Sequence, residues 1–540
     1  MSIVATFDKT LFYNEASKYC VLRLKTADLM VPEDARSPYK FSDHLIRFVA
    51  VGYDLPRTDS IKMELEGTWS KGNIYLPHVF TQESETACKV VQMILETPEP
   101  VQLAPVMERL KKQLSIKLSP KQCEGVEMVF RHSLSIITGG PGTGKSTVLK
   151  AVIEAYRQLY PGNIIKLGAP TGKASRRMAE TTGMDSAQTL HSLLGLHGED
   201  AGWQKKQELE ADFLIVDECS MMDMWLAYQL FSQLKPGTKL LLAGDADQLE
   251  SVGAGSVFRE LIGCGLVPVT VLDQVFRQAS GSLIAHNAKF ILEGKCELYY
   301  GREFSFVQAD SQEEAAELIR SIYRKELERT SMEQVQILSP FRSEGAASAK
   351  GLNEAIREEI NPAEPGKPEA AFGGKLFRLH DRVMQVKNNY DIILHDQDNK
   401  PISTGVFNGE VGMVCAIKPG TVTVNFDRRF ADYPTGSLDE LELSYATTVH
   451  KAQGSEYQVV MMPLLPAHKI LLSRKLFRTA ITRAKNRVIL VGHKKALYMA
   501  IGKSSSGRRN TLLGERIALY HRARTHQSSP SGAEELKHAS

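Results

Sequence analysis

The stretch 133–147, SLSIITGGPGTGKST, decides the fold class of this chain of 540 residues. Its apolar run 134–137 predicts a buried strand, and the glycines that follow interrupt regular secondary structure. After Lys145, the segment TVLKAVIEAY shows the apolar spacing of a helix. The sequence therefore predicts a strand, a loop and a helix in immediate succession.

The loop within this stretch has the spacing of a phosphate-binding loop. In the pattern G-x-x-x-x-G-K-[ST], backbone N–H groups surround a nucleotide's phosphates at a helix N-terminus. The lysine of such a loop reaches the β- and γ-phosphates, and its serine hydroxyl binds Mg²⁺. We therefore expect a nucleotide and Mg²⁺ as cofactors. The pattern begins at Gly139, and the residues expected to bind the nucleotide are Gly140, Pro141, Gly142, Thr143, Gly144, Lys145, Ser146 and Thr147.

Length and composition indicate a soluble protein of three or four domains. Hydrophobic residues make up 43% of the chain, enough to build substantial cores. No stretch reaches the roughly 18 uninterrupted apolar residues of a membrane helix, and the N-terminus MSIVATFDKTL lacks the charged and apolar regions of an export signal. The seven cysteines are scattered and never spaced C-x-x-C, which argues against disulfides and a zinc site. We therefore expect a cytoplasmic protein without membrane contact.

Basic residues are concentrated in short segments, whereas the formal net charge of the chain is only +3. Such a small net charge does not attract nucleic acid by itself, so any nucleic-acid binding must be local. Each cluster, taken alone, is equally well explained by a solvated helix face. The clusters comprise Lys173, Arg176 and Arg177; Arg474, Lys475, Arg478, Arg483, Lys485 and Arg487; and Arg508 and Arg509.

The two ends of the chain differ in pattern from its middle. Short alternating segments predict a small all-β domain at 1–95, which either braces the rest of the protein or binds nucleic acid. Residues 96–117 are typical of a partly helical linker. Residues 503–540 predict a polar, partly disordered tail with a short amphipathic piece near 511–519.

Strands alternate with helices through the middle of the chain, which predicts an α/β fold with two parallel sheets. The first sheet is expected at 118–273. The second is expected at 274–372 and 442–502. Between these two parts, the β-rich segment 373–441 predicts a small β-barrel inserted into the second sheet domain.

Two carboxylates end the apolar strand in DFLIVDECSMM, residues 212–222. At the carboxyl end of a parallel strand beside the phosphate loop, Asp217 would hold the Mg²⁺ shell and Glu218 would polarise the attacking water. Acids that end a strand can instead be solvated. Gln248, in GDADQLESVGAG, is placed to sense the γ-phosphate, although a turn residue would fit the same pattern.

A glutamine before the phosphate loop is a candidate for reading the nucleotide base. Ser119 as N-cap and Pro120 at the first helical position predict a helix that carries Gln122 in its first turn. A glutamine amide can both donate to and accept from an adenine edge. Most glutamines of this kind lie on the surface, so the pattern leaves both interpretations open.

The motifs, taken in order, resemble the motif series of superfamily 1 DNA helicases, and most closely the RecD-like branch. They are GGPGTGKS, APTGKAS, LIVDECSM, LLAGDADQL, VFRQ, TTVHKAQGSE and TAITRAK. VMQVKNNYD and FNGEVG in the inserted segment support the branch, and LEGTWSKGNIYLPHVF resembles the OB-type N-terminal domain of longer RecD-like proteins. The resemblance implies two RecA-like domains with ATP held between them and single-stranded DNA across their tops.

The resemblance also implies roles for individual residues. Arg277 and Arg483 match two arginines that reach from the second RecA-like domain to the γ-phosphate, where they stabilise transition-state charge once the cleft is closed. Gly454 and Glu456 fall in a motif that couples nucleotide to DNA. The implied DNA-contacting residues are Thr171, His191, Thr448 and His450.

Two departures from the pattern of the branch are present. Arg478 stands just before TAITRA, where this branch often has a tyrosine, a change with little bearing on the assignment. The strand-separating hairpin must be short, and 197–206 with Trp203 is the candidate. We expect an ATP-dependent DNA helicase or translocase acting on single-stranded and tailed duplex DNA, with 5′-to-3′ movement implied by the resemblance.

Two alternative functions stay open. An ATP-switched clamp or accessory subunit would bind DNA without unwinding it, and RNA could replace DNA as the substrate. Glu218, Arg277 and Arg483 together favour ATP turnover over a clamp.

Overall fold

Two parallel sheets with helices on both faces dominate the structure, a computed structural model. It describes residues 2–13, 19–27, 31, 36–37, 43–53, 57–58, 62–66, 68–70, 73–75, 77–113, 118–184, 186–196, 207–274, 282–504, 509 and 511–527. The two sheet domains, called the first and second lobe below, confirm the predicted fold class. Within the described residues, no helix has the length and apolar character needed to cross a membrane.

The N-terminal residues form an antiparallel sheet in the order β3-β2-β1-β4, with a separate β5–β6 hairpin. The strands are β1 (Ser2–Tyr13), β2 (Tyr19–Thr26), β3 (Ile46–Tyr53), β4 (Lys62–Glu66), β5 (Thr68–Ser70) and β6 (Asn73–Tyr75). Two helices follow, α1 (Pro77–Leu95) and α2 (Ala104–Gln113). The all-β character ends at β6, and the OB-type assignment of this module stays a prediction.

The first lobe has six parallel strands in the order β12-β7-β11-β10-β8-β9. Successive residues of its strands enter different cores on the two faces, which explains why the strands are continuously apolar. Its elements are α3 (Pro120–Arg131), β7 (Leu134–Gly139), α4 (Lys145–Leu159), β8 (Ile165–Ala169), α5 (Gly172–Thr182), β9 (Gln188–Thr189), α6 (Leu190–Leu193), β10 (Phe213–Val216), α7 (Met224–Gln233), β11 (Lys239–Gly244), α8 (Val257–Gly263) and β12 (Val269–Leu272).

Helix α1 belongs to the first lobe, so the N-terminal β domain ends before the predicted boundary at residue 95. Ala87, Val90 and Val91 lie on one face of α1 and are buried in the same core as β7, β10 and β11. An amphipathic helix is stable when its apolar stripe is buried against another apolar surface. For α1, that surface is one face of the sheet of the first lobe.

The second lobe has five strands in the order β13-β26-β25-β14-β24, with every neighbouring pair parallel. It begins with α9 (Leu283–Glu293), β13 (Phe304–Gln308), α10 (Gln312–Leu327), β14 (Val335–Ser339) and α11 (Ala349–Ile360). The insertion contains β15 (Glu369–Phe372), β16 (Lys375–Arg378), β17 (Arg382–Gln385), β18 (Asn389–His395), β19 (Pro401–Val406), β20 (Val411–Lys418), β21 (Thr421–Phe426), β22 (Arg429–Pro434) and β23 (Leu441–Leu443). The lobe resumes with β24 (Ala446–Thr448), β25 (Tyr457–Leu464), α12 (Arg474–Ile481), β26 (Ala484–Gly492) and α13 (Lys494–Gly502).

The inserted β domain is held firmly to the second lobe by buried polar contacts. The Arg382 guanidinium donates to the Val335 carbonyl at 2.7 Å and to Gln336 Oε1 at 3.0 Å. The Tyr445 hydroxyl donates to Asp381 Oδ1 at 3.1 Å. Because these groups are buried, separating the two parts would leave them without partners, so the insertion moves with the second lobe.

The C-terminal segment ends in a packed helix, α14 (Leu513–Gln527), where the sequence predicts a polar, partly disordered tail. Leu513 and Ile517 are fully buried in the core shared by α1 and the first lobe. Arg516 Nε pairs with Glu83 Oε1 of α1 at 2.9 Å. The sequence shows a short amphipathic piece near 511–519, but the surface that it covers comes from residues more than 400 positions earlier, so its packing could not be predicted locally. Residues 528–540 lie outside the described chain.

Candidate active site and nucleic-acid groove

The phosphate-binding loop connects β7 to α4, as the motif predicts. Gly144 caps the helix at a φ of 81°, a left-handed conformation that glycine adopts without strain. The Lys145 ammonium group folds over the loop and donates to the carbonyl oxygens of Gly139 at 2.6 Å and Gly140 at 3.2 Å. The positive charge therefore lies directly beside the N–H groups at the start of α4.

Gln122 links helix α3 to the phosphate-binding loop. The Ser119 backbone N–H donates to Gln122 Oε1 at 2.9 Å, and the Gln122 N–H donates to the Ser119 hydroxyl at 3.2 Å. This reciprocal pair is a capping box. The Gln122 amide also donates to the Thr143 carbonyl at 3.3 Å. Both ends of the amide are thus engaged by protein, and its reading of adenine stays a prediction.

Asp217 and Glu218 directly follow strand β10. The Glu218 backbone N–H donates to Asp217 Oδ1 at 2.8 Å, which ties the two residues together. Glu218 has a φ of 53°, an unusual conformation for a residue other than glycine, which turns it out of the line of the strand. Burial and the neighbouring Asp217 charge raise the pKa of Glu218, while Arg483 and Lys145 lower it.

The topology brings these groups together. Strand β11 lies between β7 and β10, so the phosphate loop, Asp245 and the two acids all emerge from neighbouring carboxyl ends. In the second lobe, Glu456 and Arg483 immediately precede β25 and β26, which are adjacent and parallel. The facing edges of the two sheets therefore contribute anionic and cationic groups to one cleft.

A cavity of about 280 Å³ between the lobes collects most of the predicted nucleotide residues. Those that line it are Gly140, Pro141, Gly142, Gly144, Lys145, Ser146, Thr147, Asp217, Glu218, Gln248, Glu456 and Arg483. Three predicted residues do not line it. Gln122 is buried on α3 and contacts the loop at Thr143, which is itself a buried loop residue, and Gly454, at a φ of 73°, packs near Thr171.

Arg483 is the cationic group that the second lobe contributes to this cavity. The residue is 2% exposed, and its Nη1 donates to the Ser455 carbonyl at 3.3 Å. Its Nε has no hydrogen-bond partner among the described residues. Burial lowers the pKa of Arg483, and the nearby Glu218 and Glu456 charges oppose this shift. A buried guanidinium with uncommitted donors is suited to an anionic ligand.

Gln248 occupies the edge of the cavity on the segment that follows β11. The residue is 3% exposed, and its Oε1 has no hydrogen-bond partner among the described residues. Its backbone N–H donates to the Asp245 carbonyl at 3.2 Å. The amide thus faces the cavity from a turn that is fixed at its base.

Two further arginines at the cleft were not assigned a role from the sequence. Arg177 of α5 lines the cavity and pairs with Glu456 across the cleft at 2.9 Å. Arg478 of α12 pairs with Asp245 of the first lobe at 3.0 Å. The sequence offered two signals: the basic cluster around Arg177, and Arg478 at a position where the resembled branch is expected to have a tyrosine.

A second cavity, of about 450 Å³, forms a groove between the lobes and the inserted domain. Thr171, His191 and His450, three of the four predicted DNA-contacting residues, line this groove. Trp225 lies beside His191, with ring centroids 6.0 Å apart. Burial and then the Arg509 charge lower the pKa of His450, which favours a neutral imidazole.

The fourth predicted residue, Thr448, lines a separate cavity of about 380 Å³ between the second lobe and the inserted domain. Lys451 lines both cavities. The groove and the cavity of about 380 Å³ therefore meet at Lys451. The cavity of about 380 Å³ is also lined by the basic residues Arg342, Lys350, Arg357 and Lys375 and by the acidic residues Glu354 and Glu442.

The inserted domain contacts the first lobe beside the groove. Glu410 is paired with Arg176 of α5 at 2.5 Å and with Arg429 at 3.3 Å. Phe407 packs so tightly on Gly172 that a Cβ there would lie 2.6 Å from the Phe407 Cβ. The neighbouring Asn408 and Gly409 line the groove. The turn 407–410 thus covers one side of it.

Two predicted features lie outside the described residues. These are Arg277, the second predicted γ-phosphate arginine, and the strand-separating hairpin 197–206 with Trp203. Both stay predictions.

Three protein-family models match the chain in the order of its domains. The AAA domain model matches residues 122–254, in the first lobe. The SH3 domain model of ATP-dependent RecD-like DNA helicases matches 352–426, from α11 into the inserted domain. The C-terminal domain model of UvrD-like helicases matches 443–491, in the second lobe.

Named relatives show the same similarity over most of the chain. The ATP-dependent RecD2 DNA helicase of Deinococcus radiodurans is 35% identical over 447 residues, covering 83% of this chain and 59% of the relative. The RecD subunit of the RecBCD enzyme of Mycolicibacterium smegmatis is 28% identical over 425 residues, covering 71% of this chain and 73% of the relative. The chain thus spans less than two thirds of the Deinococcus protein.

Among solved structures, the Pif1 helicase from Bacteroides in complex with ADP-AlF3 and single-stranded DNA is similar. The TM-score is 0.45 at 16% sequence identity, covering 77% of this chain and 98% of that one.

Proposed function

Because this chain belongs to the RecD-like branch of the superfamily 1 helicases, we propose that it is an ATP-dependent DNA helicase that moves 5′ to 3′ along single-stranded DNA. The observation that carries the proposal is one cavity where Lys145 and Glu218 of the first lobe meet Arg483 of the second. A site assembled from two lobes is complete only when they close, so hydrolysis controls the distance between them.

Ser146 and Asp217 are the proposed ligands of Mg²⁺. Both line the cavity and offer a hydroxyl and a carboxylate oxygen, the hard donors that Mg²⁺ uses at nucleotide sites. When bound with ATP, the ion would neutralise charge on the β- and γ-phosphates.

Glu218 is the proposed general base. An attacking water must lose a proton as the γ-phosphoryl group is transferred, and a carboxylate at the cavity wall can accept it. The raised pKa makes Glu218 more basic than an ordinary carboxylate, while the charges of Arg483 and Lys145 favour its ionised form. The side chain is therefore suited both to be ionised and to accept a proton. Gln248, with its uncommitted amide oxygen, would orient the same water.

Arg483 supplies positive charge from the second lobe. Its uncommitted donors would bind the γ-phosphoryl oxygens, where charge develops in the transition state. We propose the same role for Arg277. Since Arg483 belongs to the second lobe and Arg277 is predicted to belong to it, they would stabilise the transition state only when the lobes have closed on ATP.

Single-stranded DNA is proposed to lie in the groove that both lobes line. Thr171 at the start of α5 offers helix N–H groups to phosphates. The rings of His191 and Trp225 offer surfaces on which bases can stack. His450 and Lys451 contribute from the second lobe. Closing the lobes therefore moves one set of DNA contacts relative to the other.

The test compares purified wild-type protein with a Lys145→Ala variant. ATP hydrolysis is measured with and without single-stranded DNA, and strand displacement is measured on duplexes with a 5′ or a 3′ tail. We expect Lys145→Ala to lose hydrolysis while still binding DNA, because the groove does not contain this residue. Replacing Lys121, an exposed lysine on α3, with alanine is the control and should change neither activity.

Each possible result bears on the proposal. Displacement restricted to 5′-tailed duplexes supports the helicase and its direction, and displacement from 3′ tails alone would overturn the direction. Hydrolysis without displacement would indicate an ATP-switched clamp or accessory subunit. Stimulation by RNA but not DNA would overturn the substrate assignment. DNA-stimulated hydrolysis by Lys145→Ala near the wild-type rate would refute the ATP site itself.

A further inference from the structure

Helix α12 of the second lobe lies directly on the segment of the first lobe that carries Gln248. The Leu249 backbone N–H donates to the Thr479 hydroxyl at 3.1 Å. The Lys475 ammonium group pairs with Glu250 at 2.6 Å. Arg478, one helical turn from Lys475, pairs with Asp245 Oδ2 through Nη1 at 3.0 Å. The helix therefore contacts both ends of the turn between Asp245 and Glu250.

The Arg478–Asp245 pair differs from the Lys475 pair in its burial. The side chains of Arg478 and Asp245 are 5% and 2% exposed, whereas those of Lys475 and Glu250 are 15% and 19% exposed. A buried charge whose partner is removed has no water to replace it. Separating the charges of the Arg478 pair therefore costs more than separating those of the Lys475 pair, and the Arg478 pair lies across the interface between the lobes.

The Nη2 group of Arg478 lies beside the phosphate-binding loop. A Cβ built on Gly140 would lie 3.0 Å from Arg478 Nη2, so the guanidinium touches the surface of this glycine. Gly140 lines the nucleotide cavity. Arg478 Nε has no hydrogen-bond partner among the described residues. One guanidinium thus touches the phosphate loop and the carboxylate at the base of the Gln248 turn.

We infer that Arg478 is a positioning residue that couples closure of the lobes to the placement of Gln248. The inference rests on the proposed ATP hydrolysis and goes beyond it. The Asp245 carboxylate is bound by Arg478, and the Asp245 carbonyl accepts the Gln248 N–H at 3.2 Å. Any motion of α12 relative to the first lobe therefore shifts Asp245 and, with it, the amide that faces the cavity.

The residue type at position 478 explains the contact, since a cationic side chain can neutralise the buried carboxylate of Asp245. With arginine, the lobes are joined by a buried charge pair, which adds an electrostatic attraction between α12 and the β11 end of the first lobe. Arg478 acts through Asp245 and Gln248, whereas Arg483 lines the cavity itself.

The test uses neutral polar variants in a double-mutant cycle: Arg478→Gln, Asp245→Asn and the two together. Steady-state ATP hydrolysis with saturating single-stranded DNA gives kcat and KM, fluorescent ADP binding gives nucleotide affinity, and thermal unfolding reports folding. Lys475→Gln, which removes the less buried pair on the same helix, is the matched control. Arg478→Lys retains the charge but not the planar fork.

We expect each single variant to lower kcat by roughly tenfold or more while ADP affinity changes less than about threefold, because the contacts of the phosphate loop remain. The double variant should recover part of the loss, since neither partner is then a lone buried charge. The kcat of Arg478→Lys should lie between those of Arg478→Gln and the wild type. The kcat of Lys475→Gln should stay within about twofold of the wild-type value.

Three outcomes would overturn the inference. They are an unchanged kcat in Arg478→Gln, losses that multiply in the double variant as independent residues would, and a loss in thermal stability with normal kcat in the folded fraction. None of these would affect the proposed function, which is tested separately by ATP hydrolysis and strand displacement with the wild-type and Lys145→Ala proteins.

Discussion

Replacement of Arg483 by alanine should abolish turnover while leaving nucleotide binding largely intact. The guanidinium is buried, lines the cavity with Lys145 and Glu218, and makes one hydrogen bond, to Ser455, among the described residues. Most of its donors are therefore available to the γ-phosphate. Arginines that stabilise phosphoryl-transfer transition states contribute about 10³- to 10⁵-fold to kcat. At about 1.4 kcal/mol per tenfold, this is roughly 4–7 kcal/mol.

The assay measures ATP hydrolysis at saturating single-stranded DNA together with the affinity for a fluorescent ADP. The affinity for ADP should change only severalfold, because the phosphate loop belongs to the other lobe. Lys485→Ala is the control, since Lys485 is 45% exposed and lies 3.5 Å from Glu456. Its kcat should stay within about twofold of the wild type.

A lysine variant separates the catalytic effect from misfolding. Arg483→Lys retains the buried positive charge beside Glu218, so thermal unfolding should resemble that of the wild type. Lysine lacks the planar fork of arginine, so kcat should still fall by at least about 10²-fold. If Arg483→Ala keeps kcat within tenfold of the wild type in a folded protein, the two-lobe site is wrong.

Three further predictions test the base, the C-terminal helix and the cover of the groove. Burial raises the pKa of Glu218, so this carboxylate becomes protonated at a higher pH than an ordinary glutamate does. As pH falls, kcat should therefore decline at that higher pH, and Glu218→Gln should remove this acid limb of the kcat profile. Arg516→Ala leaves the buried carboxylate of Glu83 without its ion pair, which should cost about 3–5 kcal/mol and lower the thermal midpoint. Glu410→Gln weakens the contact of the inserted domain with α5, so dissociation from single-stranded DNA should accelerate by roughly five- to tenfold in stopped-flow measurements, while hydrolysis without DNA should not change. Unchanged DNA dissociation would show that the turn 407–410 does not retain DNA.

The proposed base and the phosphate loop illustrate what local sequence can determine. The loop at Gly144 and Lys145 depends on contacts within a few residues, because a glycine in a left-handed conformation and the first turn of a helix form together. Asp217 and Glu218 were placed correctly after a strand because an apolar run that ends in charges marks the point where the chain leaves the core.

The ends of the chain show where the same reasoning failed. Helix α1 was assigned to the β domain and the segment of α14 to a polar tail, yet they pack against each other on the first lobe. Each helix has a polar face and a modest apolar stripe, so its local composition resembles that of a linker. Each helix becomes part of a core only because its apolar stripe packs against the stripe of the other helix and against the first lobe.

The sequence by itself predicted the two parallel sheets, the insertion and most of the residues that line the cavity between the lobes, because apolar periodicity and short motifs encode local structure. The tertiary structure alone decided which charges face each other across the lobes. Arg478 and Asp245 are 233 residues apart, and Arg177 and Glu456 are 279 apart. Such pairs leave no periodic signal in the chain, since they depend on how two separately folded sheets meet.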